Sequence, residues 1–251
     1  SGGNNSTVDL YNASIGAGAF EEPVPEENIL QAFGFCTWNL PIIVLEDSDI
    51  QTYEDLIGKR VGFPPAASSS AFVGYELFDQ LGLTDKVTLD FFTWSEGCTA
   101  LKDGRVDAFM GSYANGSPIS GIIEIEATKN IRALDLDPAI AAKVTEANGG
   151  IGNSYLTPES IKTIPEGSKI LAPANSGVVI FNASVPEDVV YTYVKTVIEN
   201  LEELRGISNY FDYFDVTVVD VCVESIPFHP GAARALKEYN LWNDRFTVYG
   251  E

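Results

Sequence analysis

The stretch Arg60-Val61-Gly62-Phe63-Pro64-Pro65-Ala66-Ala67-Ser68-Ser69-Ser70 decides the fold class. Arg60 to Phe63 is a short apolar strand. Ala71 to Leu81, just beyond the serines, is a helix with Val73, Leu77 and Leu81 on one face at i, i+4 and i+8. Between strand and helix lies a loop of small residues, which lets a ligand approach the backbone. Exposed N–H groups and serine hydroxyls at a helix N-terminus make a site for an anionic group. Ordinary capping of the helix needs only one of the three hydroxyls of Ser68, Ser69 and Ser70. The loop has no Gly-Lys-Ser/Thr, so it is not a nucleotide phosphate loop.

The same alternation extends on both sides. Upstream, a short helix ends at Gly58 and the strand begins at once. Downstream, strands at Val87–Phe91, Val106–Met110 and Ile131–Leu134 alternate with helices at Ser95–Lys102, Pro118–Ala127 and Asp137–Ala147. This predicts an α/β fold with a largely parallel sheet. A polar stretch, Gly149 to Asn175, comes next. Gly177–Phe181 is a strand, and Pro186–Asn200 a helix with Val190, Val194 and Val197 on one face. Pro230–Tyr239 is the last helix. Near the start, Ile29–Phe35 and Leu40–Leu45 read as strands, and residues 1–28 as irregular.

Leu40–Leu45 leads into the alternating block and Gly177–Phe181 leads out of it. The expectation is a two-lobed α/β fold with a hinge of two crossover strands. Residues 45–178 form one continuous lobe, and residues 1–44 with 179–251 the other. Ligands of such open sheets sit at the carboxyl ends of strands, here in a cleft between the lobes. The candidate ligand-binding residues are therefore Ser68, Ser69 and Ser70, with Tyr113, Asn115 and Ser117 from the loop Gly111–Pro118, which supply an aromatic wall and neutral hydrogen-bonding groups. Trp38 and Asn39 join them on the hinge side.

The charge pattern narrows the partners. A formal net charge of -21 repels nucleic acid and anionic lipid, so neither is expected as a partner. No apolar run is long enough to span a bilayer. Cys36, Cys98 and Cys222 share no metal-ligand spacing and read as small buried hydrophobes. His229, the single histidine, sits beside a helix start at Pro230 and reads as structural. No Gly-x-Ser-x-Gly is present. No catalytic residue, metal site or cofactor is expected.

Several stretches together resemble one family. GKRVGFPPAASS (58–69) and LKDGRVDAFM (101–110) look like the junctions of type II periplasmic-binding-protein folds. IPFHPGAARALKEYNL (226–241) resembles the C-terminal signature of the TAXI-type solute receptors of TRAP (tripartite ATP-independent periplasmic) transporters. Gly16-Ala17-Gly18-Ala19-Phe20, DIQTYEDLIGKRVG, IPEGSKI and GVVIFN match the family in order, over residues 12 to 242 or so. The resemblance implies an extracytoplasmic receptor that captures a small organic solute, glutamate-like or another carboxylate. It delivers that solute to the membrane permease subunits of an ion-coupled transporter. A receptor of the ABC-linked sulfonate, nitrate or thiamine-precursor type shares the fold, but the His-Pro-Gly-Ala signature argues against it. Such receptors open with a Gly-rich strand–helix–strand. Little before Gly16 reads as one, so the discontinuous lobe is expected to be N-terminally incomplete and the Val190–Val197 strip partly bare.

Overall fold

The structure is a computed structural model and describes residues 2–207, 216 and 221–251. The chain separates into two compact units, Trp38–Asn175 and Ser1–Thr37 with Ser176–Glu251. It passes between them twice, at 37/38 and at 175/176. The passages thus lie a few residues before the 44/45 and 178/179 read from the sequence.

The split unit begins with β1 (Gly2–Ser6), α1 (Thr7–Ile15) and β2 (Leu30–Asn39, whose last two residues belong to the continuous unit). Residues 1–28 are therefore not irregular throughout. Residues 2–39 fold as strand, helix and strand. β1 carries no apolar side chain and owes its shape to pairing, antiparallel, with residues 177–181 from Gly2↔Phe181 to Ser6↔Gly177. α1 starts at Ser6, whose Oγ accepts from Asp9 N at 3.1 Å, and buries Val8 and Leu10.

The continuous unit carries β3 (Ile42–Leu45), β4 (Arg60–Phe63), α2 (Ser69–Gln80), β5 (Thr88–Phe91), α3 (Trp94–Lys102) and β6 (Ala108–Met110). After them come β7 (Tyr113–Ala114), β8 (Ser117–Pro118), α4 (Ser120–Glu126), β9 (Ile131–Ala133), α5 (Pro138–Ala147) and β10 (Gly152–Leu156). Its main sheet has the order β5-β4-β6-β3-β9. β4 is parallel to β5 and β6, but β3 is antiparallel to both of its neighbours, β6 and β9. The sheet is thus mixed, which corrects the parallel expectation. A parallel pair needs a long, usually helical crossover. That holds from β4 through α2, β5 and α3 to β6. Between β3 and β4 there is only a loop with one 3₁₀ turn at Glu54–Leu56, and β3 alone runs against the rest.

β11 (Ile170–Phe181) starts seven residues earlier than the apolar pattern suggested. Its first half pairs with β10, from Gly152↔Ala174 to Leu156↔Ile170, inside the stretch read as a polar loop. The chain then forms α6 (Glu187–Glu199), α7 (Leu201–Arg205) and α8 (Pro230–Glu238) in the split unit. The valine strip of α6 is covered: Val190 and Val194 are fully buried and Val197 packs on the same core, with Ala232, Ala235 and Leu236 of α8. Each buried valine contributes about 1.5–3 kcal/mol. The exposed large apolar residues of α6 are Val189 and Tyr193, and the Tyr193 ring still packs on Phe33 and Phe181.

Candidate functional site

α2 begins where β4 ends. Val61 and Phe63 are buried in the sheet, and the chain leaves it through Pro64–Ala67. Ser68 is extended (φ -84°, ψ 149°), and its Oγ accepts from Ala71 N at 3.2 Å. Ser68 is thus the cap. Ser69 and Ser70 occupy the first turn, half-buried, where backbone N–H groups have no carbonyl one turn back to bond to. That turn contains no acidic residue. The first turns of α1, α3, α6 and α7 all do: Asp9, Glu96, Glu187 with Asp188, and Glu202 with Glu203. At α3 the fit is closed by a reciprocal capping box of Thr93 and Glu96. The first turns of α4, α5 and α8 hold no acid either, α5 being capped by Asp137 and α8 by His229. At α2 the positive end of the dipole meets only serines, which leaves it open to an anion from outside.

One partner of this turn went unseen in the sequence. Asn175, near the end of the polar stretch, donates from Nδ2 to Ser69 Oγ at 3.3 Å. It is 2% exposed, and its Oδ1 has no hydrogen-bond partner. A buried amide oxygen left unpaired costs about 1–3 kcal/mol, a cost an apolar residue would avoid. The signal that could have found it is an asparagine inside Leu171–Val179, a run buried on both faces.

The other sequence candidates gather separately, on the end of β2. Trp38 and Asn39 pair with Ala114 and Tyr113 of β7, and β7 pairs with β8. Gly111–Pro118 is therefore a β-hairpin and not an open loop, and α4 begins only after it, at Ser120. The reason is Asn115-Gly116, with φ of 46° and 86°, a two-residue turn of the kind that favours Asn-Gly. Asn115 is exposed at the tip as a turn residue, and Ser117 is half-buried. Tyr113 is fully buried in the core with Ile43, Phe109 and Ile122, so its ring is no solvent-facing wall. Its hydroxyl is unpaired, and burial, then Glu126 and Cys98, holds its pKa well above the usual value. Asn39 is buried too; its Oδ1 accepts from Gly116 N at 3.2 Å and its Nδ2 is unpaired. The serine group and the hairpin group meet through β11, where Pro173 O, two residues before Asn175, accepts from Leu40 N at 2.8 Å.

The His-Pro-Gly-Ala segment serves packing. His229 is 2% exposed and caps α8: its Nδ1 accepts from Gly231 N at 3.2 Å. Nε2 lies 3.0 Å from Val185 O, so the neutral ring carries its proton there. Both nitrogens are committed. Burial holds the pKa below the ordinary 6.5, against the opposing pull of the Val185 carbonyl and Glu187. The unfolded chain therefore binds a proton more readily. His229 contributes its full stabilisation above pH 6.5, and loses it as pH falls toward the lower folded value. Urea midpoints measured at pH 7.5 and 5.5 should fall more for the wild type than for His229→Asn, which keeps a cap without titrating. Equal falls would rule this out.

Cys36, Cys98 and Cys222 are buried and joined in no disulfide. The Cys98 thiol is pushed up to about 11 by burial and then by Glu124, far from a nucleophilic thiolate. Lys59 and Arg60 are engaged at the amino end of β4, with Asp49 at 3.1 Å and with Asp107 at 3.5 Å. Among the described residues, no group of three His, Cys, Asp or Glu is placed to hold a metal ion, and no helix is long and apolar enough to cross a membrane.

Similar solved structures include the periplasmic aliphatic sulphonate binding protein SsuA from Escherichia coli, 14% identical with a TM-score of 0.41 over 95% of this chain and 57% of that one. A TctC solute binding protein from Polaromonas is 13% identical, TM-score 0.47, over 75% of this chain and 59% of that one. A structure described as a periplasmic transporter is 11% identical, TM-score 0.48, over 85% and 67%. The chain thus spans less than two thirds of the length of the first two, and likeness at this level fixes neither ligand nor partner. The family model that matches covers residues 5–239, from the strand β1 through α8, and the chain belongs to the NMT1-like family.

Proposed function

We propose that this chain is the extracytoplasmic solute-binding receptor of a transporter, and that it holds the anionic end of a small organic solute at the first turn of α2. The observation that carries this is the Ser69 hydroxyl in the first turn of α2, backed by a buried, half-satisfied Asn175. A carboxylate, glutamate-like or other, suits N–H groups and a hydroxyl. The Ile226–Leu241 stretch, with its resemblance to TAXI-type receptors, supports a TRAP transporter and its permease subunits as the partner.

The test starts with mass spectrometry of small molecules carried through purification of the full chain, and then calorimetry with the molecule found. A hydrogen bond to a charged group contributes about 1.5–3 kcal/mol. Ser69→Ala should therefore weaken binding roughly tenfold to a hundredfold. Asn115→Gly, which keeps the hairpin turn, should bind as the wild type does. A solute without an anionic group, or unchanged affinity in Ser69→Ala, would sink the proposal.

A further inference from the structure

A serine hydroxyl has one proton to donate and lone pairs to accept with. At Ser69 the accepting side is occupied by Asn175 Nδ2, a group that can only donate. The hydroxyl proton must then point away from Asn175. Asn175 is too deeply buried to meet a solute itself, and its own Oδ1 is left without a partner, so the amide is not seated for its own satisfaction. What its seat achieves is the orientation of Ser69.

We infer that Asn175 is a positioning residue: by donating into Ser69 Oγ it sets that hydroxyl as a donor toward an anionic group at the first turn of α2. This rests on the reading of that turn as an anion site. Aspartate has nearly the same shape as asparagine, but its ionised form only accepts. It would draw the Ser69 proton inward, turn the lone pairs outward and add a negative charge behind the site. Leucine would remove the bond without adding charge.

The experiment titrates the full chain with sodium sulfate and with L-glutamate and monitors the backbone amide resonances of Ser69 and Ser70. In the wild type at least one of the two anions should shift them saturably. Asn175→Asp and Ser69→Ala should each weaken that binding about tenfold or more. Asn175→Leu should weaken it in the wild-type background and add nothing in the Ser69→Ala background, since a residue acting through Ser69 has no further effect once the hydroxyl is gone. Should Asn175→Asp fail to fold, Asn175→Leu carries the same test through that cycle. If neither anion shifts the wild-type amides, the anion-site reading falls and this inference falls with it. If the wild type binds and Asn175→Asp binds equally well, or the Asn175→Leu loss adds in full to that of Ser69→Ala, the site stands and Asn175 has no positioning role.

Discussion

Gly231→Ala is expected to destabilise the split unit by about 3–5 kcal/mol, at or beyond the top of the usual range for overpacking. A Cβ at position 231 would lie 2.2 Å from Glu187 O and 2.8 Å from Tyr191 N. Both are backbone atoms of α6, so no rotamer change relieves the clash. The first turn of α8 would have to back away from the first turn of α6. That movement would strip Ala232, Ala235 and Leu236 from Val190 and Val194 and break the His229 cap. Thermal unfolding should shift down by roughly 10 °C, given about 2–4 °C per kcal/mol for a chain of this size. A shift under about 2 °C would mean that the two helices are not held this closely.

Gln31→Met is expected to cost nearly as much for a different reason. Gln31 is fully buried in β2, yet every polar atom of its side chain is used. Nε2 donates to Val223 O at 2.8 Å and to Ile226 O at 2.6 Å, and Oε1 accepts from Val223 N at 2.8 Å. Its backbone adds bonds from Gln31 N to Pro227 O and from His229 N to Gln31 O. One residue thereby fastens residues 223–229 to the sheet. Methionine fills similar space but leaves two buried backbone groups, Val223 N and Ile226 O, unpaired, while Val223 O keeps its bond from Ile226 N. At about 1–3 kcal/mol each that is roughly 2–6 kcal/mol in sum. Hydrogen exchange should show it locally: the Val223 amide, protected in the wild type, should exchange orders of magnitude faster. Unchanged protection of Val223 would show that the clamp is not what holds this segment.

The features legible in the sequence were local ones. β4, α2, α3, α5, α6 and α8 are set by apolar spacing, serine or proline starts and glycine ends, all within a dozen residues. β1 was not legible, because Gly2-Gly3-Asn4-Asn5-Ser6 becomes a strand only beside residues 177–181. β10 and the first half of β11 make each other in the same way. The reversal of β3 is set by the short connection to β4 and not by the residues of β3 itself. At the candidate site, the helix start at Ser68–Ser70 was legible because such a start advertises itself. The Asn115-Gly116 turn was written in the sequence, and reading its polar residues as ligand groups hid it. Gln31 and Asn175 were missed because a polar residue in a strand normally faces water, and only the packed structure shows both faces of those strands covered.

The pairing of β1 with residues 177–181 also fixes an order of events during synthesis. A chain emerging from the ribosome presents α1 and β2 early, with Val8, Leu10, Leu30 and Phe33 destined for burial. For Leu10 and Phe33 the cover comes from β11, α6 and α8, which are made much later. At roughly 5–20 residues per second, those side chains stay bare for on the order of ten seconds or more. The continuous unit has no such wait, since everything it needs lies between Trp38 and Asn175. Its sheet can close while β1 still lacks a neighbour, so a segment made before the continuous unit finds its place after it.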